Sequence, residues 1–152
     1  MPNLAHPRRS RTSKSSKSRK SDPADFVAVA IAYAETAIEH RKTHGKWLRL
    51  AAKRFLKDLK HAQTRRPKFY FSAPQANRAC AFIEGLPHVE GVWATPNITL
   101  HPAHVFFLVN LFGFRSLDAT RRFTTAIFAV ARKNAKSTLA SAILLYCYCF
   151  ED

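Results

Sequence analysis

Two adjacent side chains in the C-terminal part of the chain, Lys136 and Ser137, are of types that bind phosphate. In a phosphate-binding loop the lysine ammonium reaches the β- and γ-phosphates of a nucleotide, and the following hydroxyl ligates the magnesium ion. A loop between a buried strand and a helix suits this chemistry, because its backbone N–H groups and the positive end of the helix dipole face one point. The flanking sequence indicates whether Lys136 and Ser137 lie in a loop between a strand and a helix.

The flanking residues predict strand, loop and helix in that order. Residues 123–131 (FTTAIFAVA) are apolar or Thr on both alternating faces, which is typical of a central strand in a parallel sheet. The apolar run from Leu139 to Phe150 is long enough for about three helical turns. We therefore expect the N–H groups of Asn134 to Ser137 to cradle phosphate.

The loop itself departs from the glycine-rich template for such sites. The pattern G-x-x-x-x-G-K-[ST] places Val130 at the first glycine and Ala135 at the second. A Lys-Ser pair also arises easily in a chain with 25 basic residues, so a solvated basic turn is the alternative interpretation.

Positive charge is concentrated in the first half of the chain. The formal net charge is +15, with seven basic and no acidic side chains in residues 1–20, and nine basic side chains against Asp58 in residues 46–68. Such a field favours polyanions, of which nucleic acid is the expected partner. The alternative is that Lys and Arg merely solvate a tail and a helix face.

Helices connected by turns account for most of the remaining chain. The expected helices cover residues 22–41 (capped by Asp22 before Pro23), 46–63, 72–85 and 102–113. The second helix should present a basic face formed by Arg49, Lys53, Lys57 and Lys60. This helix and its neighbours should pack as a small lobe, whose core we expect to contain Trp47, Phe55, Phe82 and Ile83. Residues 1–21 should be disordered, because Ser, Lys and Arg leave little to bury.

Other function classes lack support in the sequence. Cys80, Cys147 and Cys149 form no paired framework, and no metal-ligand spacing occurs. The longest run without Asp, Glu, Lys, Arg or His, 138–150, is shorter than the roughly 20 residues that span a bilayer, so we expect no membrane partner.

Several short motifs resemble the N-terminal region of the large terminase subunit of tailed bacteriophages, in which a loop like Arg-Lys-Asn-Gly-Lys-Ser replaces the glycine-rich string. Residues 132–137 match that loop save for Ala135. Further similar segments are Tyr33 to Glu35, Lys46 to Ala51, Phe82 to Glu84, Leu86 to Val89, Gly91 to Ala94, Leu111 to Phe114 and Arg121 to Phe123. The resemblance covers residues 22–150.

The resemblance implies an α/β chain: a helical lobe (22–100), then the first strand-loop-helix of a P-loop ATPase sheet (101–152). It implies ATP and Mg²⁺ as cofactors, double-stranded DNA, portal protein and small terminase subunit as partners, and a homo-oligomeric ring in the cytoplasm of a bacterial host, at the procapsid portal. The nucleotide site would comprise Arg132 as charge sensor, Lys133, Asn134, Ala135, Lys136, Ser137 on magnesium, and Thr138.

Two substitutions and the length set this chain apart from the family pattern. Pro102-Ala103-His104 stands where Pro-Trp-Gln is common, so His104 would have to serve the adenine edge with fewer hydrogen-bonding groups than a glutamine amide. Ala135 adds a methyl group where glycine lets backbone approach phosphate. No Walker B or nuclease carboxylates follow, so we expect a truncated, catalytically incomplete motor piece.

Two other functions stay open at this point. One is a non-enzymatic basic DNA-binding module or degenerate prophage remnant. The other, a small kinase with a related loop, needs a sheet and lid that the residues after 137 do not supply.

Overall fold

Five helices and two short strands form the part of the chain that the computed structural model describes, residues 25–88 and 95–151. In chain order they are α1 (Phe26–Glu39), α2 (Lys46–Ala62), β1 (Phe69–Phe71), α3 (Ala73–Glu84), α4 (Pro102–Gly113), β2 (Phe114–Ser116) and α5 (Lys136–Phe150). The basic arm and the Gly91 to Ala94 motif lie outside the described residues.

The helices expected from the sequence are present, with bounds that their end residues explain. Pro102 starts α4, and Gly85 follows the last residue of α3 as its cap. The expected cap pair Asp22-Pro23 lies outside the described residues. The observed cap of α1 is Asp25, whose Oδ1 accepts from the Val27 and Ala28 N–H groups at 3.1 and 3.2 Å.

Helix α4 occupies the centre of the core and packs against α1 and α3. Its apolar side chains are buried on more than one side, while α1 meets it through alanines that allow the backbones to approach closely. The buried residues of the two helices are Ala30, Ala34 and Ala37 in α1 and Val105, Leu108, Val109 and Phe112 in α4. Residues on both sides of position 100 thus share one core.

The expected core of the helical lobe is confirmed in part. Phe55 and Ile83 are fully buried and Phe82 is half-buried, but Trp47 is 78% exposed, so its assignment to the core is wrong. The apolar stripe repeats every four residues, and each such step overshoots a helical turn. Two steps back from Phe55 therefore rotate Trp47 by about 80° away from the buried side.

The sheet differs from the one expected. Strands β1 and β2 pair antiparallel, with Phe69 opposite Ser116 and Phe71 opposite Phe114. Residues 123–131, which the structure describes, form no strand, so the prediction of a central strand in a parallel sheet is wrong. A strand needs neighbours to pair its backbone groups. The structure agrees with the expected α/β class only in that it contains both helices and strands.

Candidate nucleotide-binding site

The loop before α5 lies on the surface, with residues 131–138 all exposed. Helix α5 begins at Lys136, and the first backbone bond of its ladder is donated by Leu139 N to Ala135 O at 2.9 Å. The N–H groups of residues 136–138 precede that ladder and have no partner within the helix. Such groups at the positive end of a helix dipole favour an anion.

Ala135 has the backbone conformation that favours glycine. Its φ and ψ are 48° and 27°, in the left-handed region, and Lys133 in the same loop has a φ of 64°. A residue with a Cβ pays about 1–2 kcal/mol for this conformation. The loop therefore has a glycine-type turn at residue 135, although the residue here is alanine. The family that this loop resembles has glycine at that position.

The Lys136 side chain folds back across the loop. Its Nζ donates to Val130 O at 3.1 Å, and Asn134 Nδ2 donates to Ala131 O at 3.2 Å and Arg132 O at 3.3 Å. These contacts close the loop between its two ends. A phosphate bound at the helix N-terminus would have to draw the exposed ammonium away from a carbonyl oxygen, which is a neutral and weaker partner than an anion.

His104 lies close to this loop. A cavity of about 130 Å³ is lined by His104 of α4 and by Ala135, Thr138 and Leu139 among others. Burial lowers the pKa of His104, with the charge of His101 as a second cause. A histidine with a lowered pKa stays neutral to lower pH, with one ring nitrogen as donor and the other as acceptor.

The loop residues fit a nucleotide carrying its own magnesium. They offer helix N–H groups, the Lys136 ammonium and the Ser137 hydroxyl, which together suit phosphate oxygens and one metal ligand. Among the described residues, no group of three or more His, Cys, Asp or Glu side chains could hold a metal ion. A magnesium ion bound with a nucleotide would take its ligands from phosphate oxygens, water and the Ser137 hydroxyl.

Helix α2 exposes a row of lysines, as the sequence predicts, but Arg49, the arginine of the predicted basic face, contributes less. Lys53, Lys57 and Lys60 are exposed. Arg49 is half-buried, and its Nε is enclosed without a hydrogen-bond partner in the described residues. None of the described helices is both long and apolar enough to cross a bilayer.

A buried ion pair that the sequence analysis missed fixes the C-terminal end of α5. The Arg115 guanidinium donates to both carboxylate oxygens of Glu151, to Gln75 Oε1 and to Phe112 O, and Arg121 Nε lies 3.1 Å from Glu151 Oε2. The only sequence signal is an isolated acid after a long uncharged run. No spacing rule pairs residues so far apart in the chain.

Comparison with known proteins identifies the region that contains the loop. Residues 102–151 match the family model described as the ATPase domain of the terminase large subunit. No curated protein and no solved structure matches the chain. The match contains α4, His104, the loop and α5, whereas the similar motifs between residues 33 and 94 lie outside it. The resemblance is thus confirmed for this region: residues 102–151 match the ATPase-domain model of the terminase large subunit.

Proposed function

We propose that this chain acts as part of an ATP-driven motor that moves viral DNA into a capsid. The family match over residues 102–151 carries the proposal. Two features of the loop support it: the glycine-type turn at Ala135, and the helix N-terminus that presents Lys136 and Ser137. The proposed division is a helical lobe at 22–100 and the ATPase segment at 101–152.

In this proposal each loop residue has a distinct part in binding Mg²⁺-ATP. Lys136 leaves Val130 O to contact the β- and γ-phosphates, and Ser137 ligates magnesium. The N–H groups of Asn134 to Ser137 cradle the phosphates, with Arg132 and Lys133 adding positive charge and Arg132 sensing the γ-phosphate. His104 lines the adjoining cavity, where the base would lie.

The remaining partners follow from the family. DNA would contact the lysines of α2, and portal protein and small terminase subunit would bind the assembled motor, a homo-oligomeric ring at the procapsid portal in the bacterial cytoplasm. The ring and these protein partners are proposed on the family match alone.

Calorimetric titration of the chain with Mg²⁺-ATP tests the loop. We expect weak binding that Lys136→Ala abolishes, because the variant lacks the charged phosphate contact. Lys42→Ala is the matched control, since it removes the same exposed charge in the turn between α1 and α2. Equal binding by Lys136→Ala and Lys42→Ala contradicts the nucleotide site.

A second candidate function is a DNA-binding module that uses no nucleotide. It is favoured by the exposed lysines on one face of α2 and by the net charge of +15. Phosphate contacts release counterions whether or not a nucleotide site exists, so its affinity for DNA should fall steeply with salt. DNA binding of that kind, combined with no calorimetric response to Mg²⁺-ATP, selects this candidate over the motor.

A further inference from the structure

Asp58 is the single acidic residue of α2, and it does not point to solvent. Its side chain is only 14% exposed. Arg122 Nη1 donates to Asp58 Oδ2 at 2.9 Å, and Arg54 Nε lies 4.0 Å from the same oxygen. One carboxylate thus faces two guanidinium groups, and its single negative charge offsets only part of their positive charge.

The two arginines differ in how firmly they are held. Arg122 packs on an aromatic cluster, with its Cζ 3.5 Å from the ring centre of Phe69. Arg54 has half of its side chain exposed, donates to Asn110 Oδ1 at 3.2 Å and lies 4.9 Å from the ring centre of Phe123. Arg54 is therefore the one that an external anion can reach.

Arg54 also adjoins the lysine row. It lies three residues before Lys57, a spacing that makes the two side chains neighbours on a helix surface. A DNA backbone lying along Lys53, Lys57 and Lys60 would pass beside Arg54. There the Asp58 carboxylate, 4.0 Å from Arg54 Nε, both attracts the guanidinium and repels phosphate, because like charges brought together oppose association.

We infer that Asp58 limits the DNA contact of α2 by competing with backbone phosphates for Arg54. This inference rests on the proposed DNA binding. In the native chain, phosphate contacts would stop at the lysines, and Arg54 would stay with Asp58 and Asn110. Removing the carboxylate would add Arg54 to the set of phosphate contacts.

The experiment measures binding of the full chain to a short mixed-sequence DNA duplex over a range of salt concentrations. Asp58→Asn keeps the side-chain shape and removes the charge. Glu39→Gln removes the same charge from an exposed site at the end of α1, so it controls for net charge. We expect Asp58→Asn to bind more tightly than Glu39→Gln, and its log affinity against log salt to steepen by about 0.9, the slope of one added phosphate contact.

Arg54→Gln, made in the native chain and in Asp58→Asn, distinguishes competition from a general change in packing. It should leave the native salt slope nearly unchanged and should return the slope of Asp58→Asn to the native value. Circular dichroism melting of each variant verifies that it is folded. If Asp58→Asn is unfolded, the salt slopes of the native chain and of Arg54→Gln decide. A smaller slope in Arg54→Gln than in the native chain would show that Asp58 does not keep Arg54 from contacting phosphate.

Two results contradict the inference without contradicting the proposed DNA binding. One is an equal salt slope for Asp58→Asn and Glu39→Gln. The other is that Arg54→Gln reduces the salt slope as much in the native chain as in Asp58→Asn. If the native chain shows no salt-dependent DNA binding, the proposed DNA contact is itself wrong, and the inference fails with it. The native salt titration therefore separates the two failures.

Discussion

The most informative single residue of the loop is Ala135. It adopts a left-handed conformation with a φ of 48°, directly before the helix whose N-terminus presents Lys136. The conformation is imposed by the turn from the loop into α5, because alanine alone would avoid it. Residue 135 is therefore a place where local preference and loop geometry conflict.

Replacing Ala135 by glycine should relieve this conflict. We expect Ala135→Gly to stabilise the chain by about 1 kcal/mol, since the left-handed penalty exceeds the entropy that glycine adds to the unfolded state. Mg²⁺-ATP should also bind more tightly. Urea denaturation and calorimetry measure the two effects.

Ala140→Gly is the control, because Ala140 is exposed inside α5, where glycine should instead destabilise by about 0.5–1 kcal/mol. If both substitutions destabilise equally, the strain assigned to Ala135 is absent.

His104 should make stability depend on pH. Its folded-state pKa is lowered, mainly by burial and also by His101, so protonation favours the unfolded chain. The contribution of His104 is intact above the ordinary histidine pKa of about 6.5, and it is lost as pH falls below that value. His104→Gln should therefore lose less stability between about pH 7.5 and 5, as measured by urea midpoints at both pH values. An identical pH dependence in the variant would contradict this assignment.

Among the elements, α5 is positioned from its C-terminal end. Arg115, Arg121 and Glu151 meet there, and the side chains of the Arg115–Glu151 pair are only 5% and 8% exposed. Tyr146 and Phe112 add a ring contact at 4.7 Å between α5 and α4. The loop at the other end of α5 depends on these contacts for its position relative to His104.

Removing the Glu151 charge should be costly. We expect Glu151→Gln to destabilise the chain by about 3–5 kcal/mol, because Arg115 would remain buried without its carboxylate. Glu35→Gln removes the same charge from an exposed position on α1 and should change stability by less than about 0.5 kcal/mol. Urea unfolding monitored by circular dichroism compares the two variants. Similar unfolding free energies for both would show that the ion pair does not hold α5.

At the scale of the whole molecule, the apolar core continues from the lobe into the region of the family match. Helix α4, which lies in the matched region, packs against α1 and α3. Phe55 of α2 contacts this core through Phe106 and Phe114, with ring centres 5.4 and 6.0 Å apart. Loss of a core aromatic should therefore destabilise the two parts together.

Phe55 and Trp47 provide a comparison within one helix. We expect Phe55→Ala to cost about 3–5 kcal/mol, because the ring is fully buried. Trp47→Ala should cost less than about 0.5 kcal/mol, because Trp47 is 78% exposed and the Nζ of the neighbouring Lys46 lies 5.4 Å from its ring centre. Chemical denaturation followed by circular dichroism gives both values. A Trp47→Ala variant as unstable as Phe55→Ala would place Trp47 in the core after all.

The sequence by itself determined the helices and the loop. Proline and glycine at the ends of α3 and α4 set their bounds, because these residues act through their own backbone whatever surrounds them. The apolar run from Leu139 to Phe150 likewise predicted α5, although the helix begins three residues earlier, at Lys136. The resemblance to the terminase family followed from short strings and is confirmed for residues 102–151.

Only the tertiary structure decided which distant residues meet. The paired strands β1 and β2 are three residues each, too short to leave a periodic pattern. The apolar pattern of residues 123–131 predicted a strand, but a strand requires partners that no local pattern supplies. Asp58 with Arg122 and Arg115 with Glu151 are joined by packing across the chain. Charge alone does not predict these pairs, because burial of an ion pair depends on what the rest of the chain places around it.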